Sequence, residues 1–145
     1  MTTSAAPPLP TAAYPAIRRL VTTEGTLMHE VGTGTLQRAL SRLTAHVSSI
    51  AKSSPLVLEG DGGRIMSVHY ERRFGFLVSL CEPGDIMATV LVDQGLPEDE
   101  VVCETPRRAV TFTRRSFVSE RHAWQALEHF AQSGERCPVS TWIEP

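Results

Sequence analysis

Residues 117–145 read "FVSERHAWQALEHFAQSGERCPVSTWIEP", and this stretch decides the fold. Ser119 stands where a helix N-cap belongs, its hydroxyl suited to accept from first-turn amides, and Glu120 meets the positive end of the helix dipole. Ala123, Trp124, Leu127, Phe130 and Ala131 recur at i, i+1, i+4, i+7 and i+8, one apolar stripe along a helix. Gly134 suits the left-handed position that stops a helix, and Pro138 prevents its resumption. "VSTWI" then alternates as a strand, with Val139, Thr141 and Ile143 on one face and Ser140 and Trp142 on the other. A helix with one apolar stripe, followed at once by a strand, calls for a sheet to pack on.

Working back along the chain supplies that sheet. "PLVLEG" (55–60) is short and apolar, and "GDGG" (60–63) after it suits a hairpin or tight loop. "RIMSVHY" (64–70) alternates, setting Ile65, Ser67 and His69 against Met66, Val68 and Tyr70. "FGFLVSL" (74–80) follows a charged "ERR" that marks an exposed turn between paired strands. "DIMATVLVD" (85–93), "EVVCE" (100–104) and "AVTFTRR" (109–115) are further strands, separated by Gly95-Leu96-Pro97 and Thr105-Pro106. Upstream, Leu36, Ala39, Leu40, Leu43, Val47 and Ile50 recur at helical spacing, with Arg38 and Arg42 turned away and Thr35 as the cap. "SSP" (53–55) closes that helix. The order α, several β, α, β predicts an α+β domain: an antiparallel sheet of about five to seven strands with two main helices on one face.

The chain has 145 residues, enough for one domain with one core. Pro7, Pro8, Pro10 and Pro15 crowd the first sixteen residues, so 1–16 is expected to be an extended or disordered tail and 17–145 the folded domain. Net charge is −2, which gives no overall pull toward nucleic acid or membrane. Apolar runs are strand-length, short of the ~20 residues of a membrane helix. The N-terminus lacks a basic start and an apolar core, so a cytoplasmic protein is expected.

The sequence is poor in catalytic patterns. It contains no G-x-S-x-G, no Walker loop, no H-E-x-x-H and no zinc-deaminase signature. "VGTGT" (31–35) lacks a preceding strand and a lysine, so it reads as the start of a helix rather than a phosphate loop. His122 and His129 lie two helical turns apart, about 10 Å, too far to share a metal unaided. His69 and Cys81 are a possible base and nucleophile, but no orienting third group is evident. Cys81, Cys103 and Cys137 are odd in number and show no C-x-x-C spacing, so buried reduced thiols are expected and a zinc site is not. No cofactor is called for, and the expectation is a protein without enzymatic activity.

One charge feature stands out. Residues 82–104 hold Glu82, Asp85, Asp93, Glu98, Asp99, Glu100 and Glu104 and no Lys or Arg, so the segment carries −7. Such a run either solvates a sheet edge or presents a surface to a basic partner.

The C-terminal pattern resembles the end of the family-one immunity proteins of bacterial polymorphic toxin systems. Members close with a strand, a hydroxyl-capped helix with small residues and a late Phe, a Gly-x-Arg-Pro-type turn, and a last strand containing Trp. Here Ser119 matches the cap, Ala123 and Ala126 the small positions, Phe130 the aromatic, Gly134 and Arg136 the turn, Pro138 its proline and Trp142 the tryptophan; Glu144 follows. Trp124 and Leu127 complete the helix face. Cys137 departs from the pattern by lengthening the Arg-Pro turn. The resemblance spans about 30 residues, a fifth of the chain.

The resemblance implies a protein that binds and neutralises a cognate toxin domain, with a nucleic-acid deaminase as the favoured toxin. Toxins acting on nucleic acid need a basic cleft, which carboxylates in the 82–104 segment are suited to fill, with Arg72, Arg73 and Phe74 as rim contacts. The partner is then a protein, with no direct nucleic-acid or membrane contact. An adaptor or chaperone that binds a secreted effector, and immunity to a nuclease, are the alternatives.

Overall fold

In the computed structural model, residues 13–46, 54–104 and 108–144 are described. The chain runs through β1 (Ile17–Val21), β2 (Leu27–Met28), α1 (Thr33–His46), β3 (Leu56–Gly60), β4 (Ile65–Glu71), β5 (Gly75–Cys81), β6 (Thr89–Val92), β7 (Glu100–Glu104), β8 (Ala109–Thr113), β9 (Phe117–Val118), α2 (Glu120–Ser133) and β10 (Thr141–Ile143). The fold is α+β, as expected. Its main sheet runs β10-β6-β5-β4-β3-β1-β2, with β9 also paired to β5. Every pairing in it is antiparallel. β7 and β8 form a separate antiparallel pair.

The alternation in β4 and β5 divides the sheet into two faces. Met66 pairs with Leu80 and Val68 with Val78, and all four are fully buried beneath the helices. They join Leu36, Leu43, Leu56, Leu58, Leu127 and Phe130 in one core between the sheet and both helices. The opposite face of β5 and β6 carries Leu77 and Val90, which pack with Cys103 and Phe117 beneath the β7–β8 hairpin. The hairpin is therefore a third layer over part of the outer face, a separation that linear strand order does not disclose.

α2 forms as its capping residues dictate. The Ser119 hydroxyl accepts from the His122 amide, and Gly134, at φ 76°, donates its own amide to the Phe130 carbonyl. The extra residue in the following turn is accommodated by a β-turn: the Ser140 amide donates to the Cys137 carbonyl, with Pro138 at the position its fixed φ favours. Trp142 donates from its indole to the same carbonyl at 3.4 Å. Pro138 and Trp142 thus act together to aim β10 along β6.

Several expectations shift. The first helix starts at Thr33, two residues before the expected Thr35 cap, while Val47 and Ile50 lie outside the described residues. β1 escaped the alternation test because its register shifts between Ile17 and Arg19, leaving Arg18 and Arg19 exposed side by side between buried Ile17 and Leu20. The domain boundary also moves toward the N-terminus. Residues 1–12 lie outside the described residues, but Tyr14 is buried, its amide donates to the Val31 carbonyl and its hydroxyl bonds Thr33 at 2.8 Å. Glu71, expected on an exposed turn, is 2 % exposed and pairs with Arg73.

Gly60 is the seat of α2. Its backbone is extended, but a Cβ there would lie 2.8 Å from Cζ of Phe130. Phe130→Ala is expected to lower stability by about 3–5 kcal/mol through the cavity it leaves. Gly60→Ala is expected to cost about 1–3 kcal/mol by pushing the ring off its seat. Urea unfolding of both variants checks this, and two values near zero would remove Gly60 and Phe130 as the anchor.

Candidate functional site

The seven acidic residues do not form one patch. Glu82 and Asp85 lie in the loop after β5, whereas Asp93 follows β6. Four residues of strand, about 13 Å, separate the two ends. At the first end Glu82 is compensated by Arg64 at 3.0 Å and Arg136 at 3.7 Å. Asp85 turns its carboxylate back onto the Glu82 amide. These two residues stabilise a turn more than they present charge.

The other end is different in kind. The loop between β6 and β7 is held to Arg114 and Arg115 by main-chain and side-chain bonds. The Asp93 amide donates to the Arg115 carbonyl, and the Arg114 amide to the Asp99 carbonyl. Arg115 donates from Nε to the Leu96 carbonyl and from its terminal nitrogen to Glu98 at 2.9 Å. Asp93 closes the loop locally by accepting from the Gly95 amide. Glu98, Asp99 and Glu100 are left exposed in succession on this pinned loop, Glu98 with 79 % of its side chain accessible. Glu104 is also exposed, at the far end of β7 beside the Arg73 guanidinium field.

A groove lies along this loop. Val92, Gln94, Glu98, Thr113, Arg115 and Ile143 line a space of about 330 Å³. A second of about 130 Å³ adjoins it, sharing Thr113 and Ile143 and adding Val90, Phe112 and Glu100. The floor is apolar, and the carboxylates stand at its rim. Sequence alternation placed Ile143 opposite Trp142, but nothing in the linear order marked it as facing the acidic loop.

The residues proposed as rim contacts are partly committed elsewhere. Phe74 packs on Phe117, with Arg73 and Arg114 over its ring at 4.9 and 5.6 Å. Arg114 also donates to the Phe117 carbonyl. This aromatic–guanidinium stack fastens the β4–β5 turn to β8 and β9.

The catalytic combinations come apart in three dimensions. His69 pairs with Leu77 and Cys81 with Ile65, so the two lie four positions apart along the sheet, about 13 Å, and do not meet. Folding does bring Ser119, His122 and Asp93 together. Yet Ser119 Oγ at 3.0 Å and Asp93 Oδ2 at 3.9 Å both address His122 Nδ1. A hydrolytic triad needs the acid and the nucleophile on opposite ring nitrogens, and this serine is occupied as a helix cap. No group of three or more metal-ligating side chains occurs among the described residues. All three cysteines are free thiols, with Cys103 and Cys137 buried. No helix among the described residues is long and apolar enough to cross a membrane.

The chain matches no protein-family model, and neither curated proteins nor solved structures return a match. Residues 117–145 carry the most sharply patterned stretch of the sequence. The structure assigns those residues to packing: Phe130 and Leu127 are fully buried and Trp142 packs against the same core. Trp124 is only partly buried and lines a groove between the two helices with Gln37, Leu40 and Arg121.

His69 carries a separate consequence. Its Nδ1 is buried without a hydrogen-bond partner, and burial holds the imidazole below the ordinary histidine range. The folded chain therefore takes up this proton less readily than the unfolded chain, in which the ring is protonated as pH falls below about 6.5. The unfolded state then binds more protons, so stability is full above that pH and declines as pH falls further. Urea midpoints measured at pH 7 and pH 5 are expected to fall more for the parent than for His69→Leu. Equal declines would show that His69 contributes nothing to acid sensitivity.

Proposed function

We propose that this chain is an immunity protein that binds and neutralises a cognate secreted bacterial toxin domain, acting in the cytoplasm and without enzymatic activity of its own. The favoured target is a nucleic-acid deaminase, and a nuclease toxin fits the same chemistry. The observation that carries the reading is the exposed run Glu98, Asp99 and Glu100 on a loop pinned by Arg114 and Arg115. The C-terminal resemblance supplies the biological context.

A toxin that acts on nucleic acid holds phosphates with Lys and Arg. Carboxylates presented on a rigid loop substitute for those phosphates and occlude the cleft. Preorganisation matters, because ordering a loop on binding would subtract from affinity. An interface of about 1,600 Å² total is sufficient for such a pair. Sub-nanomolar affinity corresponds to more than about 12 kcal/mol. Charge complementarity adds speed of encounter, which is useful to a protein that must reach the toxin before its substrate does. Glu82, held between Arg64 and Arg136, and Asp85, turned onto the Glu82 amide, take a lesser part than the sequence alone assigned them, and Asp99 and Glu100 present more of the charge than Glu98, which pairs with Arg115.

Co-expression with secreted deaminase and nuclease toxin domains from the same genome tests the reading directly. Growth rescue is expected from the parent protein, whereas an adaptor would alter only secretion. The triple variant Glu98→Lys, Asp99→Lys, Glu100→Lys is expected to lose protection while keeping its circular dichroism spectrum. A single Ala at a central acid facing a buried toxin Arg is expected to weaken binding by about 2–5 kcal/mol. Full protection by the triple variant would sink the acidic-surface mechanism.

A further inference from the structure

β10 is the last strand of the main sheet and pairs only with β6 among the described residues. Sheet edges are ordinarily blunted by charges, proline or bulges, because unpaired amides and carbonyls recruit further strands. β10 is short, at three residues, but Thr-Trp-Ile brings no charge, proline or bulge to this edge. Val139 before the strand is 82 % exposed and Ile143 at its end is 37 % exposed. Beside this edge runs the apolar groove floored by Val90, Val92 and Ile143, with Glu98 and Glu100 at its rim. Among the described residues that line the groove, the basic side chain is Arg115, which is already held by Glu98 and the Leu96 carbonyl.

We propose that β10 accepts an extended segment of the toxin domain as an added strand. One apolar side chain of that segment packs against Ile143, at the side of the groove nearest the edge. A Lys or Arg two positions away shares that face and meets Glu98 and Glu100, since residues i and i+2 of a strand point the same way. Main-chain bonds to β10 set the register, and the alternating side chains supply selectivity. The occupant's chemistry follows from the charge of the rim. A second copy of this chain is the poorer fit, because pairing two β10 edges would bring two sets of Glu98, Glu100 and Glu144 together without new cations. The opposite edge of the sheet, β2, has only two residues.

This inference rests on the reading of the chain as a toxin-neutralising protein, and the experiment separates the two. Hydrogen–deuterium exchange is measured on the unmodified protein, free and mixed with a catalytically inactive form of the toxin domain against which it protects in co-expression. Amides of 140–144 are expected to exchange at least about tenfold more slowly in the complex, because added-strand hydrogen bonds close them to solvent. Ile143→Lys is expected to weaken association by about tenfold or more by placing a like charge against the incoming cation. Leu27→Lys on the opposite edge is expected to leave association unchanged. A complex that forms with unaltered exchange at 140–144 and binds Ile143→Lys as tightly as the parent overturns the added-strand mode and leaves the toxin-neutralising reading intact. Absence of any complex overturns both, and a free protein that sediments as a β10-paired dimer overturns the assignment of the occupant.

Discussion

The contact on which the remaining architecture depends is the ring of Phe130 over Gly60. An α-helix lies across a sheet at a separation set by the side chains between them, and here one position under the helix has no side chain at all. That absence lets the aromatic ring descend onto β3. Leu127, Ala126 and Ala123 then reach the sheet in succession, all fully buried. With α2 so placed, its N-terminus arrives directly from β9 and its C-terminus delivers the turn that launches β10. Ala123 and Ala126 are the small helix positions that allow this close approach.

The two faces of the sheet divide the labour. One is covered by both helices and holds the larger core. The other is covered only where the β7–β8 hairpin crosses Leu77, Val90 and Phe117. Where that cover stops, β10 stands as the edge strand beside a groove on this face, and the acidic loop that links β6 to β7 lines it. The loop's rigidity comes from Arg114 and Arg115, which also follow the hairpin. The exposed acidic loop and the groove therefore belong to the less regular layer, held in position by the more regular one. This is the usual arrangement of adaptable loops on a rigid scaffold.

The elements with clear periodicity were legible without coordinates. β3, β4, β5, β7, β8, both helices and the terminal strand occupy the segments that alternation, helical spacing and capping pointed to. The elements that were not legible share a cause, namely a tertiary event that interrupts the local pattern. A bulge hides the period of β1. The burial of Tyr14, in a proline-rich segment that reads as a tail, depends on Val31 and Thr33 coming alongside. Glu71 looks like a turn charge and is instead enclosed where the hairpin meets the β4–β5 turn, its carboxylate paired with Arg73.

The candidate site follows the same division. By itself the sequence determined the helix caps, the faces of each strand and the concentration of seven acids within residues 82–104, because these depend on neighbours a few positions away. Only the tertiary structure decided which of those acids act together. It carried Glu82 to Arg64 and Arg136 at one end of β6, and left Glu98, Asp99 and Glu100 uncovered at the other, beside Ile143 from the far end of the chain. Charge along a chain is a matter of composition. Charge at a surface depends on which strands pair and in what register, and that is settled by burial of the apolar faces over long separations in sequence.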